Sequence, residues 1–293
     1  MSKRTDLAVE LIEDNAEQIK GVRKKVHHKI ASTATEVIIE DGAAAAKIGK
    51  PVGRYITIET TRVSGDPSEF NEQVADIAEE ILRVCGVCDY IDKSVLVVGL
   101  GNDKITPDAL GPKVVSQVLV TRHLAEENVP KAIREAINIT SVSAIAPGVL
   151  GQTGIEAAET IEALVKFTKP DCVFVIDALA CSDISRLGST IQMTDSGISP
   201  GSGVQNRRKE LSKETLGVPV TAIGVPTVMD MHTIAENLTG QTVGSHAINH
   251  LPNMMVTPRD VDKLIERMSR LIAYGINKAT QPYLTIEDIT SLS

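Results

Sequence analysis

Residues Ser94-Val-Leu-Val-Val-Gly-Leu100 form a continuous apolar run that ends in a glycine-containing turn. Such a run is typical of a strand buried on both faces, as in a parallel sheet covered by helices. A helix is expected next, over residues 109–124. The pattern then recurs as strand 139–145, helix 154–168, strand 172–178 and strand 218–225. This alternation predicts an α/β fold with a largely parallel, doubly wound sheet and helices on both faces.

The first third of the chain shows a different pattern. We expect a helix over residues 7–30, strands at 36–40 and 54–60, and a helix over 67–84. The last expected helix covers 258–275, with Thr257 as its N-cap. No Pro-, Gly- or Ser-rich linker divides the sequence. Residues 1–293 are therefore expected to form one α/β domain with an N-terminal strand and helix extension.

The composition excludes several classes of function. The 293 residues carry a net charge of -8, and only 2% of them are aromatic. Phosphates attract basic side chains and single strands need aromatic stacking, so we expect no direct nucleic-acid binding. The apolar runs are far shorter than the roughly 18 residues of a membrane span, and no secretory signal precedes them. We expect a cytoplasmic protein with no membrane partner.

Motifs for metals and cofactors are weak. Cys85 and Cys88 form a C-x-x-C pair, but no second pair follows at zinc-ligand spacing, which favours buried thiols. His246 and His250 are four residues apart between a glycine and a proline, which leave little room for a helix. The turn after Val98 lacks the third glycine of a dinucleotide motif, because Lys104 stands there. We therefore expect no metal and no cofactor.

Two carboxylates form a stronger candidate site. Ligands bind outside the carboxyl ends of the strands in doubly wound sheets. Asp108 follows the first buried strand and Asp177 ends the 172–176 run. If these strands are neighbours, both acids reach one edge and can activate a water molecule. Taken singly, each acid also has a structural interpretation, as a helix-stabilising or turn-capping residue.

The surroundings of the two acids are expected to differ. With Thr106 as N-cap and Pro107 as the first helical residue, Asp108 falls in a first helical turn that favours its charged form. The apolar neighbours of Asp177 favour its protonated form. Such a difference suits acid-base chemistry. A glycine-rich loop with Gly201 and Gly203, followed by Arg207, is a weaker candidate for binding an extended substrate, and is otherwise a solvated surface.

Several longer motifs occur in one order along the chain. They are Gly99-Leu-Gly-Asn, Thr106-Pro-Asp-Ala-Leu-Gly-Pro-Lys, Val142-Ser-Ala-Ile-Ala-Pro-Gly-Val, Val175-Ile-Asp-Ala-Leu-Ala, Asp195-Ser-Gly-Ile-Ser-Pro-Gly-Ser-Gly-Val, Thr215-Leu-Gly-Val-Pro-Val and Gly224-Val-Pro-Thr-Val. With these motifs the chain resembles the germination protease family, the endopeptidases that degrade small acid-soluble spore proteins during spore germination. The family is similar in fold to the hydrogenase maturation peptidases.

The resemblance implies an aspartic-type endopeptidase whose catalytic acids match Asp108 and Asp177. It also implies a homotetramer in the cytoplasm of the spore core, made as a zymogen that cuts its own N-terminus. Residues 5–10, Thr-Asp-Leu-Ala-Val-Glu, look like the sequence at which family substrates are cut. We therefore expect autocleavage between Asp6 and Leu7, with loss of a pro-segment of residues 1–6. A segment that longer family members carry before Met254 is short here.

Two other functions stay open. Fold similarity suggests a nickel-dependent maturation peptidase, but no histidine stands near residues 194–203 to serve as a ligand. An α/β protein that binds a small ligand without catalysis is also compatible with the charge and the glycine-rich loop.

Overall fold

A computed structural model describes residues 5–12, 19–60, 67–86, 90, 93–125, 139–201, 209–239 and 254–292. Within these residues one mixed sheet has the strand order β1-β2-β3-β7-β8-β6-β4-β5, and β9 pairs with β8. The strands are β1 (Val22–His28), β2 (Ser32–Ile39), β3 (Gly53–Thr60), β4 (Ser94–Gly99), β5 (Ser141–Ile145), β6 (Cys172–Cys181), β7 (Thr190–Thr194), β8 (Val220–Asp230) and β9 (Met255–Val256).

The parallel half of the sheet consists of β8, β6, β4 and β5. Every residue of β4 after Ser94 is buried, as its apolar sequence predicts. The strands β6 and β8 end later than predicted, at Cys181 and Asp230, because the two strands stay paired beyond the end of β4. The α/β class is confirmed.

The antiparallel half consists of β1, β2, β3 and β7. The prediction of one helix over residues 7–30 is wrong. A short helix ends at Ile12, and Val22–His28 is a strand that pairs with β2 along its whole length. The edge strand β1 is polar and mostly exposed, so its pairing with β2 rather than an apolar stripe decides its conformation.

Helices cover both faces of the sheet. One face packs against α3, α4 and α10, and the other face of the parallel half packs against α7. On that second side, α1 and α2 cover the antiparallel half. The helices are α1 (Ala8–Ile12), α2 (Gly42–Ile48), α3 (Pro67–Cys85), α4 (Leu110–Val115), α5 (Arg122–Ala125), α6 (Leu150–Thr153), α7 (Ala157–Thr168), α8 (Lys213–Leu216), α9 (Met231–Thr239), α10 (Val261–Thr280) and α11 (Ile286–Leu292).

Two helices differ from the prediction because their backbone has tertiary partners. The helix expected over 109–124 stops at Val115, and Leu119 N–H then donates to Asn277 Oδ1 at 2.9 Å. The helix expected over 258–275 is α10, which begins at Val261 with Asp260 as N-cap. Thr257 does not cap it, because its hydroxyl donates to Thr227 O at 3.0 Å. Among the described helices, none combines the length and the apolar character that crossing a membrane requires.

Candidate active site

The neighbouring strands β4 and β6 bring the two predicted acids to one edge of the sheet. Gly99 lies opposite Ile176 in a parallel pair, so the carboxyl ends of the two strands meet. Asp177 follows Ile176, and Asp108 lies in the loop after β4. Both residues line one cavity of about 410 Å³. The structure therefore places Asp108 and Asp177 together, as their positions after two strands predict.

The Asp108 carboxylate is held by the loop rather than by a helix start. Thr106–Asp108 form one turn of 3₁₀ helix with Ile105 as N-cap, and α4 begins only at Leu110. The expectation of Thr106 as the cap of an α-helix is therefore wrong, since the chain tightens before α4 begins. Asp108 Oδ2 instead accepts a hydrogen bond from Asn102 N–H at 2.8 Å.

Glycines allow α4 and the Asp108 loop to lie directly on the end of β4. A Cβ atom on Gly111 would lie 2.2 Å from the carbonyl oxygen of Leu100. Gly101 has φ +113°, and a Cβ there would lie 2.0 Å from the carbonyl oxygen of Asp108. Only glycine fits such close backbone approaches. These glycines therefore position Asp108.

Asp177 lies within β6 and is 7% exposed. Its Oδ1 accepts a hydrogen bond from Ala178 N–H at 2.9 Å. The backbone of Asp177 pairs with Gly224 of β8. A buried carboxylate beside a half-buried one, at the wall of a cavity, is an arrangement that can activate a water molecule.

The N-terminal segment, residues 5–12, reaches the same cavity through Asp6. Asp6 is one of its lining residues. Asp6 N–H donates to Ala180 O at 2.9 Å, and Ala180 N–H donates to Asp6 Oδ2 at 2.9 Å. Leu7 is fully buried against Leu179 and its neighbours. The predicted cleavage position, between Asp6 and Leu7, thus lies at the cavity that holds the two acids.

Glu10 anchors the N-terminal segment to the end of β6. Its side chain is 2% exposed and also bonds to the Thr5 hydroxyl. One carboxylate oxygen accepts hydrogen bonds from Ser182 N–H at 2.8 Å and from the Ser182 hydroxyl at 2.7 Å. The other accepts a hydrogen bond from Asp183 N–H at 2.9 Å. The segment is therefore attached to β6 on both sides of the Asp6–Leu7 bond.

Two further residues contact the Asp6 carbonyl oxygen. It accepts hydrogen bonds from Lys50 Nζ at 2.9 Å and from Gln192 Nε2 at 2.8 Å. Burial lowers the pKa of Lys50, and the negative charge of Asp6 acts in the opposite direction. No motif in the sequence identified Lys50 or Gln192, because they become neighbours of Asp6 only through the pairing of the antiparallel half.

The other candidate residues are placed only in part. Gly201 lines the cavity, whereas Gly203 and Arg207 lie outside the described residues, as do Cys88, His246 and His250. Cys85 is half-buried, and its Sγ lies 3.0 Å from Thr221 Oγ1. Burial raises the pKa of this thiol. Within the described part of the chain, no three or more His, Cys, Asp or Glu side chains are grouped so that they could hold a metal ion.

Comparison with known proteins decides the family. The model of the germination protease family matches residues 3–251. The chain belongs to the germination protease family. It is 41% identical to the germination protease of Clostridium tetani, with 99% of each chain covered. It is 42% identical to that of Caldanaerobacter subterraneus, over 99% of this chain and 97% of that protein. This member of the family is therefore a protease of spore germination.

A more distant relative from Bacillus cereus, also a germination protease, is 39% identical over 95% of this chain and 93% of its own. Among solved structures, a [NiFe] hydrogenase maturation protease from Thermococcus kodakarensis matches with a TM-score of 0.34 and 18% identity, over 63% of this chain and 92% of that chain. This structural likeness is too low to carry an argument about the site.

Proposed function

We propose that the protein is an aspartic-type endopeptidase that degrades small acid-soluble spore proteins during germination. The observation that carries the proposal is the meeting of Asp108 and Asp177 at one cavity, together with a segment of this chain that resembles a cleavage sequence. Membership of the germination protease family supports the substrate class. The protein acts as a homotetramer in the cytoplasm of the spore core, as the family resemblance implies.

In the proposed reaction, the Asp108 and Asp177 pair shares one proton and holds the attacking water molecule. As the water oxygen bonds to the carbonyl carbon, the ionised carboxylate takes a proton from the water. The pair then returns a proton to the peptide nitrogen as the carbon–nitrogen bond breaks. The products are a new carboxyl terminus and a new amino terminus. The pair ends in its starting protonation state.

The same reaction removes the pro-segment of residues 1–6 from the protein itself. Asp6 lines the cavity of the two acids, and Glu10 keeps the following helix attached to β6. Cleavage between Asp6 and Leu7 would release residues 1–6 while leaving Glu10 in place. The precursor is thus a zymogen whose first substrate is its own N-terminal segment.

The test is the removal of each carboxylate in the full chain. Asp108→Asn and Asp177→Asn are each expected to slow cleavage of an added acid-soluble spore protein at least about 1000-fold, since each change removes acid-base catalysis. Release of residues 1–6, measured by mass spectrometry of the intact protein, should slow equally. Circular dichroism checks that both variants fold.

Asp103→Asn is the matched control, because Asp103 is an exposed acid in the same loop. It should cleave at the normal rate. Near-normal turnover by both Asp108→Asn and Asp177→Asn, with the fold intact, would refute the two-carboxylate mechanism. Wild-type protein that leaves spore proteins uncut under germination conditions would refute the substrate assignment.

A further inference from the structure

The carbonyl oxygen of Asp6 accepts hydrogen bonds from two side chains that are distant from it in the sequence. This is the oxygen of the peptide bond that the proposed function cuts. Lys50 Nζ and Gln192 Nε2 both donate to it, at 2.9 and 2.8 Å. Donors that stabilise the oxyanion of acyl-transfer reactions lie 2.7 to 3.1 Å from that oxygen. The two side chains therefore already bind, before any reaction, the oxygen on which the negative charge would develop.

The register of the sheet places this donor site opposite Asp177. Asp177 pairs with Gly224, and Gly224 pairs in turn with Gln192. Residues in one such row project from the same face, and strands two apart are separated by about 10 Å. The middle residue is a glycine, and the Leu179 side chain lies over it, with its Cγ atom 2.5 Å from where a Cβ atom on Gly224 would stand.

Two cavities meet at Asp6. The first contains Asp108 and Asp177, and the second, of about 230 Å³, contains Lys50 and Gln192. Asp6 and Leu179 line both cavities. Asp6 therefore lies where the cavity of the two acids meets the cavity of the two donors.

Gln192 also holds Ala8, the second residue after the predicted cleavage position. While its Nε2 donates to Asp6 O, its Oε1 accepts Ala8 N–H at 2.6 Å. Both contacts are to backbone atoms, so neither depends on which side chains the bound peptide carries. Gln192 is 6% exposed, and a buried amide whose donor and acceptor are both used has a defined orientation.

We propose that Lys50 and Gln192 bind the carbonyl oxygen of the residue before the cleaved bond and stabilise the negative charge that develops on it. The first such residue is Asp6 of the same chain, and after its removal the corresponding residue of a substrate protein takes its place. This inference rests on the proposed function and adds two catalytic residues to it. The positive charge of Lys50 makes it the stronger donor of the two.

The experiment measures release of residues 1–6 from the full chain in wild-type protein, Lys50→Met, Lys50→Arg, Gln192→Ala and Asp177→Asn. Met keeps the length of the lysine side chain without its donor. We expect Lys50→Met and Gln192→Ala to slow release about 100-fold each, the usual cost of losing one oxyanion donor. Lys50→Arg should recover part of the rate. Lys47→Met, an exposed lysine on α2, is the control and should match wild type.

Amide hydrogen exchange of residues 7–12 separates catalysis from binding. If the two variants are slow while the segment keeps its protection, the oxyanion role is supported. If the segment loses protection in both, the residues only anchor it, and the proposal is overturned. The proposal is also overturned if Lys50→Met and Gln192→Ala release residues 1–6 at a rate within threefold of wild type. In that case the two-carboxylate mechanism is still supported, provided that Asp177→Asn is inactive. A wild-type chain that never releases residues 1–6 refutes self-cleavage, and this inference with it.

Discussion

The parallel and antiparallel halves of the sheet differ in how their strands are covered. In the parallel half, β4 and β6 are buried at nearly every position, because helices lie on both faces. In the antiparallel half, β1 is exposed at most positions and carries Arg23, Lys24 and Lys25 in a row. A strand covered on both faces is mostly apolar, whereas an edge strand is free to be polar.

The two halves also contribute differently to the site. The carboxyl ends of the parallel strands bring Asp108 and Asp177 together. The antiparallel half supplies Gln192 from β7, and the loop between α2 and β3 supplies Lys50, and both hold the Asp6 carbonyl oxygen. In the proposed enzyme, the parallel half therefore carries the acid-base groups and the antiparallel half holds the peptide.

The largest effect on stability is expected in the parallel half, from Gly111→Ala. The new methyl group would lie 2.2 Å from the Leu100 carbonyl oxygen, so α4 must move away from β4. We expect the free energy of unfolding, measured with urea, to fall by about 3 kcal/mol. Spore-protein cleavage should fall as well, because the movement of α4 displaces Asp108.

Gly151→Ala in α6 is the control for this change, since nothing lies within 4 Å of a Cβ atom there. It should leave stability unchanged or raise it by up to about 1 kcal/mol. Equal stability of Gly111→Ala and wild type would show that the close contact between α4 and β4 does not position Asp108.

A smaller effect is expected from Glu10→Gln, which affects the contact between the two halves. The neutral side chain loses the charge that accepts hydrogen bonds from Ser182 and Asp183. We expect the free energy of local unfolding of residues 7–12 to fall by about 2 kcal/mol, which is measured as faster exchange of their amide protons. The amides of β4 should stay protected. The control is Glu159→Gln, at an exposed position on α7, which should leave the amide exchange of residues 7–12 and of β4 unchanged. Unchanged exchange of residues 7–12 would show that Glu10 is not the anchor.

The smallest effect is expected in the antiparallel half, from the pH dependence of Glu36 on β2. Burial alone would raise its pKa, but the Arg83 hydrogen bond and the charges of Arg83 and Arg54 outweigh burial and hold the pKa below the usual 4.5. A carboxyl group with a lowered pKa stabilises the fold above its usual pKa, and this stabilisation disappears as the pH falls. Above the usual pKa, the free energy of unfolding of wild type should therefore exceed that of Glu36→Gln by about 1 kcal/mol. This difference should disappear below about pH 4. A difference in the free energy of unfolding that does not change with pH would refute this role of Glu36.

The sequence predicts the parallel half well, whereas in the antiparallel half it predicts β2 and β3, at 36–40 and 54–60, but neither β1 nor β7. Apolar runs such as 94–100 are long enough to identify buried strands, and Asp108 and Asp177 were identified because they follow such runs. The strand Val22–His28 falls inside the helix predicted over residues 7–30, because its pairing with β2 is not visible in a local pattern. No sequence pattern predicts the strand Thr190–Thr194, so none indicates a role for Gln192.

The sequence by itself determined the α/β class and the family, and predicted that Asp108 and Asp177 reach one edge of the sheet, because buried strands and long motifs are local features of the chain. Only the tertiary structure decided what lies next to the Asp6 carbonyl group. Lys50 and Gln192 are 44 and 186 residues away from Asp6 along the chain, and hydrogen bonds from both meet at one oxygen. Contacts at such separations depend on strand order and register, which are set by the packing of the whole sheet.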